Sequence, residues 1–135
     1  MDNSNESKKI LIVEDEHEIR LNLKNLLKAK GYIVDDTNSP LIAMEKIKKE
    51  RYQVIITDNR MPGVRGVNLV EAFKKSGAKV ILMSGSLTPE EVLTAKKGGV
   101  DQVFVKPFSL MSLDQAIFEL FYHDDPIVNP QNNAS

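Results

Sequence analysis

Five short runs rich in β-branched residues punctuate the chain: ILIV at 10–13, YIVD at 32–35, QVIIT at 53–57, KVILM at 79–83 and QVFV at 102–105. They recur at intervals too long for hairpins, and each is a nearly continuous apolar stretch, the pattern of a strand buried on both faces. Between them the apolar residues switch to helical spacing: Ile19, Leu23, Leu26 and Leu27; Ile42, Met44 and Ile47; Leu69, Val70 and Phe73; Val92 and Ala95; Leu113, Ile117, Leu120 and Phe121. Start and stop signals agree with those helices. Ser39 precedes Pro40, Thr88 precedes Pro89 with Glu91 placed to complete a capping box, and Gly31 follows Lys28 and Lys30. Strict alternation of strand and helix requires right-handed crossovers. It predicts a three-layer, doubly wound α/β fold whose five parallel strands fit the order 2-1-3-4-5. The ligand crevice of such a sheet lies outside the carboxyl ends of the strands, at the switch point between the first and the third.

Composition narrows the functional classes. Eighteen basic against nineteen acidic side chains leave a net charge of −1, so no positive field announces a nucleic acid or an anionic membrane. The lysine pairs at 48–49, 74–75 and 96–97 read as solvated helix faces. The absence of cysteine excludes disulfides, thiolate metal sites and a cysteine nucleophile. No apolar run approaches the roughly 20 residues of a membrane span, and the opening MDNSNESKK lacks the apolar core of a signal peptide. The expectation is a soluble cytoplasmic protein with one domain over 9–122. The polar, aperiodic residues 1–8 and 123–135 would form a flexible extension and tail.

The chemistry gathers at the predicted strand ends. The first strand ends in Glu14 and Asp15 and the third in Asp58, and no glycine-rich loop follows either to cradle a cofactor phosphate. Any one of these acids has an ordinary explanation as a loop or cap residue, but three at adjacent strand ends form an all-oxygen site suited to Mg²⁺. The fourth strand adds Ser84, followed by Gly85 and Ser86, and the fifth adds Lys106 and Pro107. A metal and a fixed ammonium leave room for a dianionic tetrahedral group, and a carboxylate beside both could attack a phosphoryl donor. His17, without a second histidine or cysteine nearby, reads as a helix-surface residue, and His123 as part of the tail.

In order along the chain, ILIVEDE, ITDNRMPG, MSG and VKPF resemble the receiver domain of two-component response regulators, in particular the stand-alone, chemotaxis type, over about Lys9 to Phe121. The resemblance implies a flavodoxin-like (βα)5 fold with Asp58 as the aspartate phosphorylated by a histidine kinase, a histidine phosphotransfer protein or a small phosphodonor. It further implies that Asp15 and Asp58 bind Mg²⁺ directly, Glu14 through water and Arg60 through its backbone carbonyl, while Met61, Pro62 and Gly63 shape the turn. Ser84 would donate its hydroxyl to the phosphoryl group, Lys106 would pair with the phosphate or with Asp58, and the Lys106–Pro107 peptide would be cis. Two positions that tune phosphoryl lifetime in this family hold Arg60 and Ser86. The Arg60 guanidinium either reaches the phosphoryl group and restrains attacking water, or is an exposed loop arginine.

Two departures from the family pattern stand out. Glu14 replaces the usual aspartate, and Val103 occupies the position that often carries a switching aromatic; Phe104, on the opposite face of its strand, reads as a core residue. The function expected is a phospho-acceptor switch rather than an enzyme, changing partner binding at the face of the fourth helix, fifth strand and fifth helix, as a monomer or a phosphorylation-dependent dimer. Alternatives are a phosphorelay shuttle, a receiver from a hybrid kinase, or a phosphorylation-independent interaction module. A carboxylate phosphatase of the haloacid dehalogenase type is disfavoured, because it needs a second acid where this chain has Arg60. The short stretch after Tyr122 argues against a DNA-binding domain within this chain, so no nucleic-acid partner is expected.

Overall fold

The computed structural model describes residues 8–122, so the flexible segments expected at 1–8 and 123–135, with His123, lie outside the described residues except for Lys8. Five parallel strands form the sheet: β1 (Lys9–Val13), β2 (Ile33–Thr37), β3 (Val54–Asp58), β6 (Lys79–Ser84) and β7 (Gln102–Val105). Their order is β2-β1-β3-β6-β7, which is 2-1-3-4-5 once the two-residue strands β4 (Arg60–Met61) and β5 (Val64–Arg65) are set aside. The helices are α1 (His17–Ala29), α2 (Pro40–Lys49), α3 (Val70–Lys75), α4 (Pro89–Gly98) and α5 (Leu110–Tyr122).

Alternation along the strands sorts the core into two layers, because successive side chains leave a strand on opposite faces. Ile10, Ile12, Ile56, Ile81 and Met83 pack with Leu23 and Leu27 of α1 and Leu113 and Ile117 of α5. Leu11, Val13, Ile55 and Val80 pack on the other face with Ala43 of α2 and Val70 and Phe73 of α3. Leu82 meets Ala95 of α4 in a smaller cluster. The central strand β3 is buried along its whole length, Asp58 at its carboxyl end included. Ser39 caps α2 by accepting from the Ile42 N–H at 3.2 Å. The capping box of α4 forms in both directions between Thr88 and Glu91, at 3.1 and 3.0 Å.

Burial on both faces fails at the two sheet edges. Ile33 on β2 is 46% exposed, and Val103 and Val105 on β7 are 40% and 59% exposed, because helix cover runs out where no further strand follows. Ile42, expected to face the core from α2, points outward, and Ala43 fills the inward position. Lys74 is no solvated lysine: its ammonium meets Asp101 Oδ2 at 2.8 Å, and the same oxygen accepts the Val80 N–H at 2.7 Å, tying α3 to the entry of β7. Lys8 is held in place, its carbonyl accepting the Ile33 N–H at 3.0 Å and its ammonium lying 5.2 Å from the Tyr122 ring centroid.

The segment after Asp58 departs most from the expected pattern. Instead of running through a turn directly into a helix, it forms the β4–β5 hairpin and a 3₁₀ turn (Gly66–Asn68) before the short α3. Gly63 closes the hairpin with φ of +87°, a left-handed conformation that glycine adopts without penalty. Among the described residues no helix is long and apolar enough to cross a membrane.

Candidate functional site

Register brings the chemistry to one edge. Val13 pairs with Thr57, Asp58 with Met83, and Ser84 with Val105, so Glu14, Asp58, Ser84 and Lys106 all emerge at the carboxyl ends of neighbouring strands. Glu14 is fully buried and Asp58 is 5% exposed. The Lys106 ammonium lies between them, 3.1 Å from Glu14 Oε1 and 3.1 Å from Asp58 Oδ1, with Glu16 Oε1 at 3.7 Å. The second Glu14 oxygen accepts the Glu16 N–H at 3.0 Å. Oxygens of Glu14, Asp15 and Asp58 lie within 4.8 Å of one another.

The electrostatics follow from burial. Loss of solvent pushes the Glu14 carboxyl above the usual range, against the opposing Glu16 N–H, with the Asp58 charge adding to the rise and Lys106 opposing it. Burial likewise pushes Asp58 up, with Lys106 opposing and the Asp15 charge adding to the rise. Burial alone would lower the Lys106 pKa, but the carboxylates of Glu14 and Asp58 outweigh it and hold the ammonium above the ordinary lysine value. Three carboxylates against one ammonium leave surplus negative charge that a divalent cation would neutralise, and an all-oxygen donor set fits Mg²⁺.

The remaining residues singled out in the sequence fall partly where expected and partly elsewhere. The Ser84 hydroxyl is held by the backbone of Ser86, donating to its carbonyl and accepting its N–H at 3.1 Å. Arg60 neither reaches Asp58 nor stands free: its guanidinium lies 3.6 Å from Glu91 Oε1 on α4. Met61 is buried beside it, while Pro62 and Gly63 form the exposed turn. Val103 faces outward from β7, and Phe104 packs inward, edge-on to Phe108 at 5.4 Å. Ser86 is exposed, and the Lys106–Pro107 peptide is cis. His17 is exposed and sits 3.2 Å from Arg20 Nη2.

Sequence reasoning missed the supports. Arg20, one helical turn after the acidic loop, donates to the Glu14 carbonyl at 2.8 Å and to Asp36 at 3.0 Å, and Lys24 joins Asp36 at 2.9 Å. Asn59 is fully buried, with Oδ1 accepting the Val67 N–H at 2.9 Å. The i, i+4 spacing of Arg20 and Lys24 was visible in the sequence, but their partner on β2 was not. A cleft of about 470 Å³ opens beside Lys106, walled by Glu16, Ile19, Leu23, Pro107 and Phe108.

A family model for the response regulator receiver domain matches residues 10–118. This chain belongs to that family. The receiver is similar to the chemotaxis protein CheY-3 of Vibrio cholerae, 29% identical over 122 residues that cover 87% of this chain and 94% of that protein. Its fold is similar to a CheY-like receiver domain of Methanospirillum hungatei (28% identity, 88% and 98% of the two chains, TM-score 0.83). It is also similar to the response regulator TrrA of Thermotoga maritima, solved with Mg²⁺ and beryllofluoride (31% identity, 84% and 98% of the two chains, TM-score 0.74).

Proposed function

We propose that this receiver is a phospho-acceptor switch in which Asp58 takes a phosphoryl group from a phosphohistidine donor or a small phosphodonor. The observation that carries the reading is the Lys106 ammonium bridging Glu14 and Asp58 at the only edge of the sheet where three carboxylates meet among the described residues. An oxygen of the Asp58 carboxylate forms the new P–O bond as the bond from phosphorus to the donor breaks. Lys106 would leave Asp58 and pair with the added phosphoryl oxygens, and Ser84 would turn its hydroxyl from the Ser86 carbonyl toward them. Glu14, Asp15, Asp58 and the Arg60 carbonyl would hold Mg²⁺, which neutralises charge on the transferring group. The mostly apolar cleft beside Lys106 suits docking of the donor protein, a histidine kinase or histidine phosphotransfer protein.

Output would pass to a protein partner through α4, β7 and α5, where Leu93, Val103, Val105 and Phe118 are exposed. With Val103 in place of an aromatic, the signal would travel by movement of the loops carrying Ser84 and Lys106. The chemistry is directed at the receiver's own Asp58, making it a switch of the cytoplasm and not an enzyme acting on outside substrates. The test is intact mass after incubation with Mg²⁺ and acetyl phosphate or phosphoramidate, beside Asp58→Ala, with backbone amide spectra before and after. One added phosphoryl group, lost in Asp58→Ala, with shifts reaching α4 and β7, is expected. Shifts confined to the pocket would favour a shuttle, and no modification from any donor would favour the interaction module.

A further inference from the structure

One carboxylate outside the acceptor pocket gathers an unusual share of charge. Glu91, in the first turn of α4, has a side chain only 10% exposed, yet it receives guanidinium groups from both strands of the hairpin that follows Asp58. Arg65 hydrogen-bonds directly to Oε2, while Arg60, its cross-strand partner, stands off Oε1 at 3.6 Å. Oε1 is already committed to the Thr88 N–H at 3.0 Å, so Arg65 holds the stronger site and Arg60 the weaker. The Thr88 N–H holds the Glu91 carboxyl below its usual range against the opposing effect of burial, with Arg65 and Arg60 adding to the fall.

We propose that Glu91 is a positioning residue that detains Arg60 until Asp58 is phosphorylated, and that the phosphoryl group then draws Arg60 away from α4 across its own mouth. The inference rests on Asp58 being the acceptor. Arg60 lies two residues beyond Asp58, at most roughly 7 Å along the chain, which is within the span of an arginine side chain. A phosphoryl group carries more charge than a carboxylate and offers the guanidinium a two-pronged match, so it competes successfully for a partner held at 3.6 Å. It does not compete for Arg65, whose bond to Glu91 keeps the hairpin pinned to α4. The swap makes two events one. Arg60 comes to cover the approach of hydrolytic water, and the first turn of α4 loses one of its two cationic ties to the acceptor loop.

The decisive variant is Glu91→Gln, which removes the charge and keeps an amide oxygen for the Thr88 N–H, while its amide nitrogen, a donor, gives up the Arg65 bond at the other position, a loss for which the Arg60→Ala background controls. Loss of the phosphoryl group is timed by intact mass after donor removal, for wild type, Glu91→Gln, Arg60→Ala and the double variant. A Glu91→Gln half-life longer by about threefold is expected, the factor set by one long ion pair whose guanidinium is largely solvated. In the Arg60→Ala background the same change should do nothing, a dependence that a merely structural role for Glu91 would not produce. Equal half-lives for wild type and Glu91→Gln, a shorter one in the variant, or an effect that persists without Arg60 would each overturn the inference while leaving the acceptor reading intact. A wild type that gains no phosphoryl group overturns both.

Discussion

Gly66 is the most exacting glycine around Asp58, and replacing it with alanine is the sharpest test of how the site is built. A Cβ there would lie 2.3 Å from the Asp58 carbonyl oxygen and 2.9 Å from the Asn59 Cα. Ordinary contact begins near 3.4 Å, so the backbone must separate by about 1 Å, and no flexible side chain can absorb the change. The Gly66 N–H also donates to the Asn59 carbonyl at 2.7 Å, a bond that the same displacement stretches. Overpacking against rigid backbone costs about 3 kcal/mol, equivalent to a fall of about 10 °C in melting temperature for a domain of this size. Phosphoryl uptake should suffer more, because the atom displaced belongs to Asp58, the proposed acceptor. A misplacement of about 1 Å at a reacting group slows phosphoryl uptake on the order of a hundredfold. The assay pairs thermal melts with uptake from acetyl phosphate followed by intact mass. Two neighbouring glycines calibrate it. Gly63→Ala meets nothing within 4 Å but must hold φ at +87°, so it should cost about 1 kcal/mol without slowing uptake. Gly85→Ala meets nothing within 4 Å and should stay within about 0.5 kcal/mol of wild type. A Gly66→Ala protein that melts like Gly85→Ala and takes up phosphoryl at the wild-type rate would refute the reasoning.

Lys106→Met leaves the Glu14 and Asp58 carboxylates facing each other without their ammonium, and should cost about 3 kcal/mol at neutral pH. Their pKa values, already raised by burial, rise further. Raised carboxyl values favour the folded state only below the ordinary carboxylate range, so the variant's stability should be greatest in acid and fall as pH rises through the raised values, measured by urea midpoints across pH. Asp36→Asn has the opposite signature. Burial would raise the Asp36 pKa, but Lys24 and Arg20 outweigh it and lower it, so its contribution is present above about pH 4 and vanishes as pH falls through the depressed value. The variant should melt below wild type by about 1 kcal/mol at neutral pH and converge with it in acid, whereas a gap independent of pH would contradict the ion-pair account.

What the sequence disclosed and what it withheld divide along a physical line. The order of strands and helices was legible because a period of two against 3.6 is written locally, and a parallel sheet then permits few topologies. The convergence of Glu14, Asp58, Ser84 and Lys106 was legible for the same reason, since strand ends in such a sheet share one edge by construction. The exposure of Val103 and Val105 was not, because an apolar run reads alike in a central strand and at an edge. Nor was the hairpin at Arg60–Arg65, whose two-residue strands are too short for any period to register.

The same limit explains why Glu91 read as nothing more than a helix cap. Its capping role depends on residues three apart in sequence, whereas its partners Arg60 and Arg65 arrive from 31 and 26 positions away on a hairpin that the pattern did not reveal. A receiver's pocket is therefore set by local strand geometry and can be read from four short motifs. The coupling of that pocket to α4 proposed above would run through long-range charge pairs on an irregular loop, where each residue taken alone looks like ordinary surface. Arg60 shows the cost of reading it alone: reaching for phosphate or standing free were the alternatives its sequence position offered, and the fold supplies a third, a hold on Glu91 at 3.6 Å, which on the proposal above a stronger anion would break.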